Sequence, residues 1–213
     1  MAAVTPALSA HRPGAVDFLR TLAHLYDRVE VTTRDGRALS LAEGLRQTLA
    51  IVTACGEARR KLIFIGNGGS ASIASHQAVD YWKNGGLKAM AFNDASLLTC
   101  VGNDYGYDRV FAEPIRRFAE SGDLVIAISS SGRSPNMLRA AEAAREAGCQ
   151  LVTCSGFDAT NDLRAHGAVN FYVPSHNYGI VEVIHLSLLH GVLDELMTRN
   201  TFRAAELSRV NDE

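Results

Sequence analysis

Residues 61–80 have the sequence KLIFIGNGGSASIASHQAVD, in which a short apolar run, a glycine-rich turn and a helix-like segment follow one another. The apolar run 61–66 does not alternate with polar residues, which is typical of a strand buried on both faces of a sheet. The turn 67–69 leads into a helix whose first backbone N–H groups can hold an anion. Inside that helix, His76 and Asp80 are four residues apart and therefore share a face. The stretch predicts a buried strand, an anion-binding turn and a chemically reactive helix face.

The same alternation of apolar runs and helix-like segments continues to residue 199. The runs are 61–66, 87–92, 123–129, 150–155 and 169–173, and the segments between and after them are 71–83, 95–101, 107–120, 135–147 and 179–199. Right-handed crossovers between such strands predict an α/β fold, a doubly wound five-stranded parallel sheet sandwiched by helices. Ligands of such sheets bind beyond the carboxyl ends of the strands.

Two helix-like segments, 16–30 and 40–55, precede the first of these strands. The second opens with Ser40 and Glu43, which have the spacing of a capping box. The sequence therefore predicts an N-terminal helical hairpin in front of the sheet. The predicted organisation is a flexible N-terminus at 1–14, a single domain at 15–200 that includes the hairpin, and a C-terminal tail at 201–213.

Composition narrows the classes of function. The chain has 213 residues, 47% of them hydrophobic and 21% charged, with a formal net charge of −2. There is no basic excess for nucleic acid, no polybasic segment for a membrane surface, and no uninterrupted apolar span, so we expect a cytoplasmic protein with neither partner. No CxxC pair is present, so we expect free thiols in a packed core rather than a redox or metal site. The cysteines are Cys55, Cys100, Cys149 and Cys154.

A second anion-binding loop is predicted at residues 129–136, SSSGRSPN, directly after an apolar run. Ser134 suits the N-cap of the next helix and Pro135 its first position. Hydroxyl groups around a helix N-terminus suit a phosphate, and the absence of the P-loop lysine disfavours ATP. The alternative is that serine and glycine merely form tight turns; Arg133 could add charge for the phosphate or face solvent.

Ionisable residues also occur in the last helix-like segment, namely Glu182, His185, His190 and Asp194. His190 and Asp194 are four residues apart, as His76 and Asp80 are. Each pair could form a local ion pair, hold a metal or act as acid and base. His185 is expected to be a core residue.

Four stretches together resemble the SIS (sugar isomerase) fold. They are GNGGSASIASHQAVD, CVGNDYG, ISSSGRSPN and VPSHNYGIVEVIHLSLLH. The serine-rich loop alone would indicate only a SIS domain, whereas the GND segment and the spaced histidines resemble the sedoheptulose-7-phosphate isomerases, also called phosphoheptose isomerases. The resemblance covers roughly residues 45–200 and keeps the order and spacing of the family's motifs.

The resemblance implies an aldose–ketose isomerase that converts sedoheptulose 7-phosphate to D-glycero-D-manno-heptose 7-phosphate. It implies a homotetramer with active sites at subunit contacts, one divalent metal, usually zinc, per subunit, and Asp80 and His190 as the catalytic pair. The implied metal ligands are His76, Asp80, Glu182 and His190. The implied substrate-binding residues are Asn67, Gly68, Gly69, Asp80, Asn103, Asp104, Ser129, Ser130, Ser131, Ser134 and Glu182.

This chain departs from the family at two of these positions, with Asp80 in place of Glu and Glu182 in place of Gln. The first shortens the base by one methylene, and a misplacement of about 1 Å can cost on the order of a hundredfold in rate. In addition, Glu182 and His190 would lie about 12 Å apart along one helix. One metal can bind both only if the helix start is distorted or if they come from different subunits.

Two alternative functions remain open at this stage. One is an isomerase of another phosphosugar in a specialised pathway. The other is a non-catalytic SIS module that binds protein, of the replication-initiator-associated type; such modules typically lack the carboxylate at position 80 and the histidine at position 190. The presence of both residues here favours catalysis.

Overall fold

The computed structural model describes residues 14–211, and side chains are described for residues 14–199. Most of the N-terminus predicted to be flexible, residues 1–13, lies outside this range, as do residues 212 and 213.

The described residues form seven α-helices and seven strands. In chain order they are α1 (Ala15–Tyr26), β1 (Glu30–Thr32), β2 (Ala38–Leu39), α2 (Leu41–Glu57), β3 (Lys61–Gly66), α3 (Gly69–Lys83), β4 (Lys88–Ala91), α4 (Ala95–Tyr105), α5 (Ala112–Phe118), β5 (Leu124–Ser129), α6 (Pro135–Glu146), β6 (Gln150–Gly156), β7 (Val169–Val173) and α7 (Tyr178–Asn211). Short 3-10 helices occur at Tyr107–Arg109 and Asp162–Ala165.

The strands form a single sheet in the order β2-β1-β7-β6-β5-β3-β4. The five predicted strands, β3 to β7, are present and pair in parallel, which confirms the doubly wound α/β fold. Strands β1 and β2 were not predicted, and they extend the sheet in antiparallel fashion beside β7.

The predicted N-terminal helical hairpin needs correction. Both helices form, and α2 begins with the expected capping box between Ser40 and Glu43. Between them, however, the chain makes a β-hairpin whose turn contains Gly36 at φ +82°. The two strands are three and two residues long, too short to show a period in the sequence.

Apolar side chains cover both faces of the sheet. In β5, all six residues are buried, and Leu124, Ile126 and Ile128 face one core while Val125 and Ala127 face the other. The first core is closed by α1, α2, α3 and α7, and the second by α5 and α6. Since strand side chains alternate between faces, this unbroken apolar run is what a central strand requires.

Helix boundaries differ from prediction in several places. Helix α7 continues to Asn211, beyond the predicted end at residue 199. The segment predicted as one helix at 107–120 is divided into a 3-10 turn and α5. Within the described part of the chain, no helix is both long enough and apolar enough to cross a membrane.

Candidate functional site

The two predicted anion-binding loops lie side by side at one edge of the sheet. Strands β3 and β5 are hydrogen-bonded neighbours, and Gly66 pairs with Ile128 near their carboxyl ends. The helices that follow leave on opposite faces, because α3 packs in the core with α7 whereas α6 packs in the other core. This is the point at which the strand order reverses, and it opens a crevice between the two loops.

A pocket of about 400 Å³ fills this crevice. Its lining includes most of the residues predicted to bind substrate, together with Ser70 and Tyr178, which were not among the predicted site residues. The lining residues are Asn67, Gly68, Gly69, Ser70, Ser129, Ser130, Ser131, Ser134, Tyr178 and Glu182.

The serine hydroxyls of the second loop have different surroundings. Ser129 Oγ accepts a hydrogen bond from the Gly132 N–H at 3.2 Å, and Ser131 Oγ accepts one from the Arg133 N–H at 3.3 Å. Ser130 is only 5% exposed and its Oγ has no hydrogen-bond partner among the described residues. A buried hydroxyl without a partner is unfavourable unless a ligand or water completes it. The loop therefore keeps at least one donor free for an anion.

Asn67 is held by a network that the sequence did not reveal. Its side-chain amide exchanges two hydrogen bonds with that of Asn136, at 3.0 and 2.8 Å, and the Tyr107 hydroxyl donates to its Oδ1 at 3.2 Å. Asn136 follows Pro135 at the start of α6, so the pair links the two loops across the crevice. The spacing of residues in the sequence predicts neither the Asn67–Asn136 pair nor the hydrogen bond from Tyr107.

Arg133 does not line the pocket. Its guanidinium donates to Asp158 Oδ2 at 2.8 Å and to Thr160 Oγ1 at 3.1 Å. Backbone and side-chain hydrogen bonds from Thr160, together with the charge of Arg133, hold the pKa of Asp158 below its usual value. The Arg133 side chain is exposed, so of the two alternatives the structure supports a side chain that faces solvent, here paired with Asp158.

A second group of polar residues lies further along α3 and α7. His76 Nε2 is 3.3 Å from His190 Nε2 and 3.4 Å from Asp80 Oδ2, and His190 Nδ1 is 3.8 Å from the same oxygen. The side chains are 53%, 35% and 20% exposed for His76, His190 and Asp80. No ion pair joins His190 to Asp194 within the described residues, so the histidine belongs to this cluster instead.

The dimensions of the cluster suit a metal ion. Zinc ligands at about 2.0–2.1 Å in a tetrahedron lie roughly 3.3 Å from one another. The two shortest separations here are 3.3 and 3.4 Å, and one potential ligand atom from each of the three residues falls within 4.8 Å of the others. Two imidazoles and a carboxylate are a zinc-competent set that leaves a fourth position open.

Glu182 is not part of this cluster. It lies two turns earlier on α7, in the pocket, where its carboxylate packs against Gly69. Helices α3 and α7 lie side by side, with Gly69 beside Glu182 at one end and His76 beside His190 further on. The interval is seven residues on α3 and eight on α7. At 1.5 Å per residue, the pocket and the cluster are therefore about 11 Å apart along the helices. Within one chain, the expected fourth ligand is therefore remote from the other three.

Asn103 and Asp104 are also outside the pocket. Both are exposed on the last turn of α4, where the Asn103 amide donates to Asp104 Oδ1 at 2.8 Å. His185, in contrast, is a core residue as expected, with Nε2 3.0 Å from the Ser155 carbonyl oxygen. Burial lowers its pKa to about 4.

Three of the four cysteines are buried, as predicted, and Cys100 is exposed. Burial raises the pKa of Cys55 and Cys149 to about 11 and that of Cys154 to about 12. The buried thiols are therefore uncharged at neutral pH.

Comparison with known proteins agrees with this architecture. The SIS domain family matches residues 27–156. A phosphoheptose isomerase from Citrifermentans bemidjiense is 35% identical over 168 residues, which cover 76% of this chain and 86% of the relative. The phosphoheptose isomerase of Bradyrhizobium sp. (strain ORS 278) is 38% identical over 183 residues, covering 82% of this chain and 89% of the relative. The chain belongs to the phosphoheptose isomerase family.

The fold resembles that of a solved phosphoheptose isomerase from Neisseria gonorrhoeae. The two superpose with a TM-score of 0.72 at 29% sequence identity, over 85% of this chain and 94% of the other. This member of the phosphoheptose isomerase family carries Asp80 inside its histidine cluster and Glu182 inside its pocket.

Proposed function

We propose that the protein is a cytoplasmic phosphosugar aldose–ketose isomerase that converts sedoheptulose 7-phosphate to D-glycero-D-manno-heptose 7-phosphate. The observation that carries the proposal is the combination of a hydroxyl-lined pocket at the starts of α3 and α7 with a His76–Asp80–His190 cluster further along the same two helices. Isomerisation of a phosphosugar needs a site for the phosphate and a separate site for proton transfer.

The pocket would hold the phosphate through hydroxyls and backbone N–H groups. Ser129, Ser131 and Ser134 surround the start of α6, and Ser130 supplies a buried hydroxyl with no other partner among the described residues. Oriented N–H groups at the start of a helix stabilise negative charge.

The cluster would move the protons. Asp80 removes the proton from the carbon beside the carbonyl and returns it to the neighbouring carbon, and His190 passes protons between the two oxygens. The 20% exposure of Asp80 leaves its carboxylate accessible to a substrate. This assignment needs no redox cofactor.

A zinc ion would be held by His76, Asp80 and His190, whose spacing fits its ligand geometry. When bound, it supplies Lewis-acid polarisation of a substrate oxygen. The position of Glu182 in the pocket supports it as a fourth ligand only across a subunit contact.

We further propose a homotetramer in which active sites form at subunit contacts. Two arrangements support this assembly: His76 is 53% exposed, and the substrate-binding candidates Asn103 and Asp104 are exposed away from the pocket of their own chain. A partner subunit could bring such groups to one substrate.

The deciding experiment follows the carbon-bound protons of sedoheptulose 7-phosphate by NMR in deuterated water. We expect exchange at C1 or C2 with the native protein and loss of exchange with Asp80→Asn, while calorimetry shows retained substrate binding. Replacing Ser131 and Ser134 with alanine should weaken binding of the phosphorylated sugar much more than that of sedoheptulose. Retention of most activity in Asp80→Asn would place the base elsewhere.

A panel of five- to seven-carbon phosphosugars in the same assay tests the substrate. The presence of Asp80 and Glu182 in place of the family's residues favours examining substrates other than the heptose. Zinc analysis after purification without chelator should give close to one equivalent per chain. Absence of both turnover and zinc would favour a non-catalytic SIS module.

A further inference from the structure

One residue of the pocket is poorly suited to a phosphate ligand. Among the residues that line it, Glu182 alone carries a formal charge, and that charge is negative. The nearby cation Arg133 is held by Asp158 at 2.8 Å. A phosphate dianion would therefore enter a space that contains a carboxylate and no lysine, arginine or histidine.

The carboxylate of Glu182 occupies a place that an anion would favour. A methyl group added at Gly69 would overlap both of its oxygens, and Gly69 is the first residue of α3. The N-cap of α3 is Gly68, which has no side chain to cap the helix. The uncapped N-terminus of a helix is electropositive and stabilises a carboxylate.

Nothing else in the described part of the chain fixes Glu182 there. No hydrogen bond or ion pair joins its side chain to another described residue, and the side chain has three rotatable bonds. The contact that the structure gives this carboxylate is therefore the one with the uncapped start of α3. The buried hydroxyl of Ser130, which has no hydrogen-bond partner among the described residues, also stays unpaired while Glu182 lies in the pocket.

We propose that Glu182 is a specificity-determining residue that competes with the phosphate of the substrate for the anion-binding pocket between the starts of α3 and α6. Binding of a phosphorylated sugar has to displace the carboxylate or overcome its charge, whereas binding of an uncharged sugar does not. Glu182 thereby reduces the affinity gained from the phosphate and increases the relative weight of sugar contacts in selecting the substrate. The inference rests on the function proposed above, which assigns this pocket to the phosphate.

The test compares native protein with Glu182→Gln, which keeps the shape of the side chain and removes its charge. Calorimetry measures the dissociation constants of sedoheptulose 7-phosphate and of sedoheptulose. Since like charges in a partly enclosed pocket repel strongly, we expect the variant to bind the phosphorylated sugar roughly tenfold more tightly or better. The affinity for sedoheptulose should change less than twofold. Added salt should reduce the difference between the two proteins in their affinity for sedoheptulose 7-phosphate.

Glu195→Gln provides a matched control, since it removes the same charge from the same helix. Its carboxylate pairs with Arg199 on the surface of α7. We expect this variant to bind both ligands as the native protein does. An equal gain in Glu195→Gln would assign the effect to net charge and overturn the proposal.

Chelator-treated and zinc-loaded protein are both titrated, because the family resemblance implies that Glu182 is a metal ligand. The gain in Glu182→Gln should appear in both forms. A gain in affinity confined to zinc-loaded protein would overturn the proposal. So would an equal gain in affinity for the unphosphorylated sugar. If Glu182→Gln has no effect while the serine variants weaken phosphate-ester binding, the inference fails and the proposed function stands. If native protein does not bind sedoheptulose 7-phosphate at all, both fail.

Discussion

Gly132 illustrates how a single residue determines the conformation of the serine-rich loop. It adopts φ +61°, and an added methyl group would overlap the side chain of Asn161. Asn161 is buried and donates to the Asp158 carbonyl oxygen at 2.8 Å. We expect Gly132→Ala to lower the free energy of unfolding by about 3 kcal/mol, from left-handed backbone strain and disturbed buried hydrogen bonds. Urea denaturation measures the loss.

Gly36→Ala separates these two causes. Gly36 also has a positive φ, +82°, but nothing lies within 4 Å of an added methyl group. We expect Gly36→Ala to lower the free energy of unfolding by only about 1 kcal/mol. Equal losses in the two variants would mean that the collision with Asn161 is unimportant.

His185 gives the protein a specific pH dependence. Its folded-state pKa of about 4 lies below the value of 6.5 for a free histidine, because the ring is fully buried. The unfolded chain therefore binds more protons between these values, and stability falls as the pH falls from 6.5 towards 4. The loss from this group should be on the order of 3 kcal/mol.

Urea denaturation at several pH values tests this dependence. His185→Gln retains an N–H donor for the Ser155 carbonyl oxygen. Its free energy of unfolding should change less between pH 6.5 and 4 than that of the native protein. His24→Gln is the control, since His24 is exposed on α1. An unchanged slope in His185→Gln would show that other groups dominate acid unfolding.

At the scale of the elements, Asp123 joins the starts of β3 and β5. Its fully buried carboxylate accepts from the backbone N–H groups of Lys61 at 2.8 Å and Glu120 at 2.7 Å, and pairs with Lys61 Nζ at 3.0 Å. Asp123→Ala removes all three partners at once. We expect a loss of about 3–5 kcal/mol in unfolding free energy.

Glu146→Ala is a suitable comparison for Asp123→Ala in thermal or urea unfolding. Glu146 is exposed and lies 3.6 Å from Arg116 across the surface of α5 and α6. A surface ion pair of this kind contributes about 1 kcal/mol or less. A similarly small loss in Asp123→Ala would show that the buried carboxylate does not tie the strands together.

The elements also show which features a sequence can predict. The central strands were predictable because a strand covered on both faces, such as β5, is apolar at consecutive positions. Strand β1 is stabilised by pairing with β7, a contact between distant parts of the chain, and β2 pairs with β1. No local pattern of two or three residues records such a contact.

The candidate site was predictable to a similar extent. Local spacing predicts the glycine–serine loops and the pair His76 and Asp80. The resemblance to the phosphoheptose isomerases added further residues to the predicted site. The approach of His190 to His76 depends on how α3 packs beside α7. The same packing places Glu182 in the pocket, which spacing along α7 alone could not show.

The whole molecule exposes apolar side chains on the helices that carry the histidine cluster. On α3, Trp82 is 52% exposed and Val79 is 45% exposed, and both lie within two residues of Asp80 in the chain. Exposed apolar groups beside a functional cluster are expected where subunits meet. The proposed homotetramer would cover them.

Trp82→Glu tests this assembly. We expect light scattering to show a smaller species and the isomerase assay to show at least a tenfold loss of activity, because a buried unpaired carboxylate opposes association. Phe118→Glu, an equally exposed position at 56% on the other face of the sheet, should leave mass and activity unchanged. Trp82 is the single tryptophan, so in the native protein its emission should shift to longer wavelength when the assembly dissociates on dilution. Native protein that is monomeric and fully active would contradict the tetramer.

The pairing of β1 with β7 has a consequence for how the protein is made. Glu30 lies opposite Tyr172, so the first strand of the sheet can find its neighbour only after nearly the whole domain has been synthesised. Chains grow from the N-terminus at about 5–20 residues per second. During those seconds Val31, which ends only 2% exposed, has no sheet to join. Until β7 has been synthesised, the β1–β2 hairpin has no strand of the sheet to pair with. Its apolar side chains are then accessible to chaperones and to other proteins.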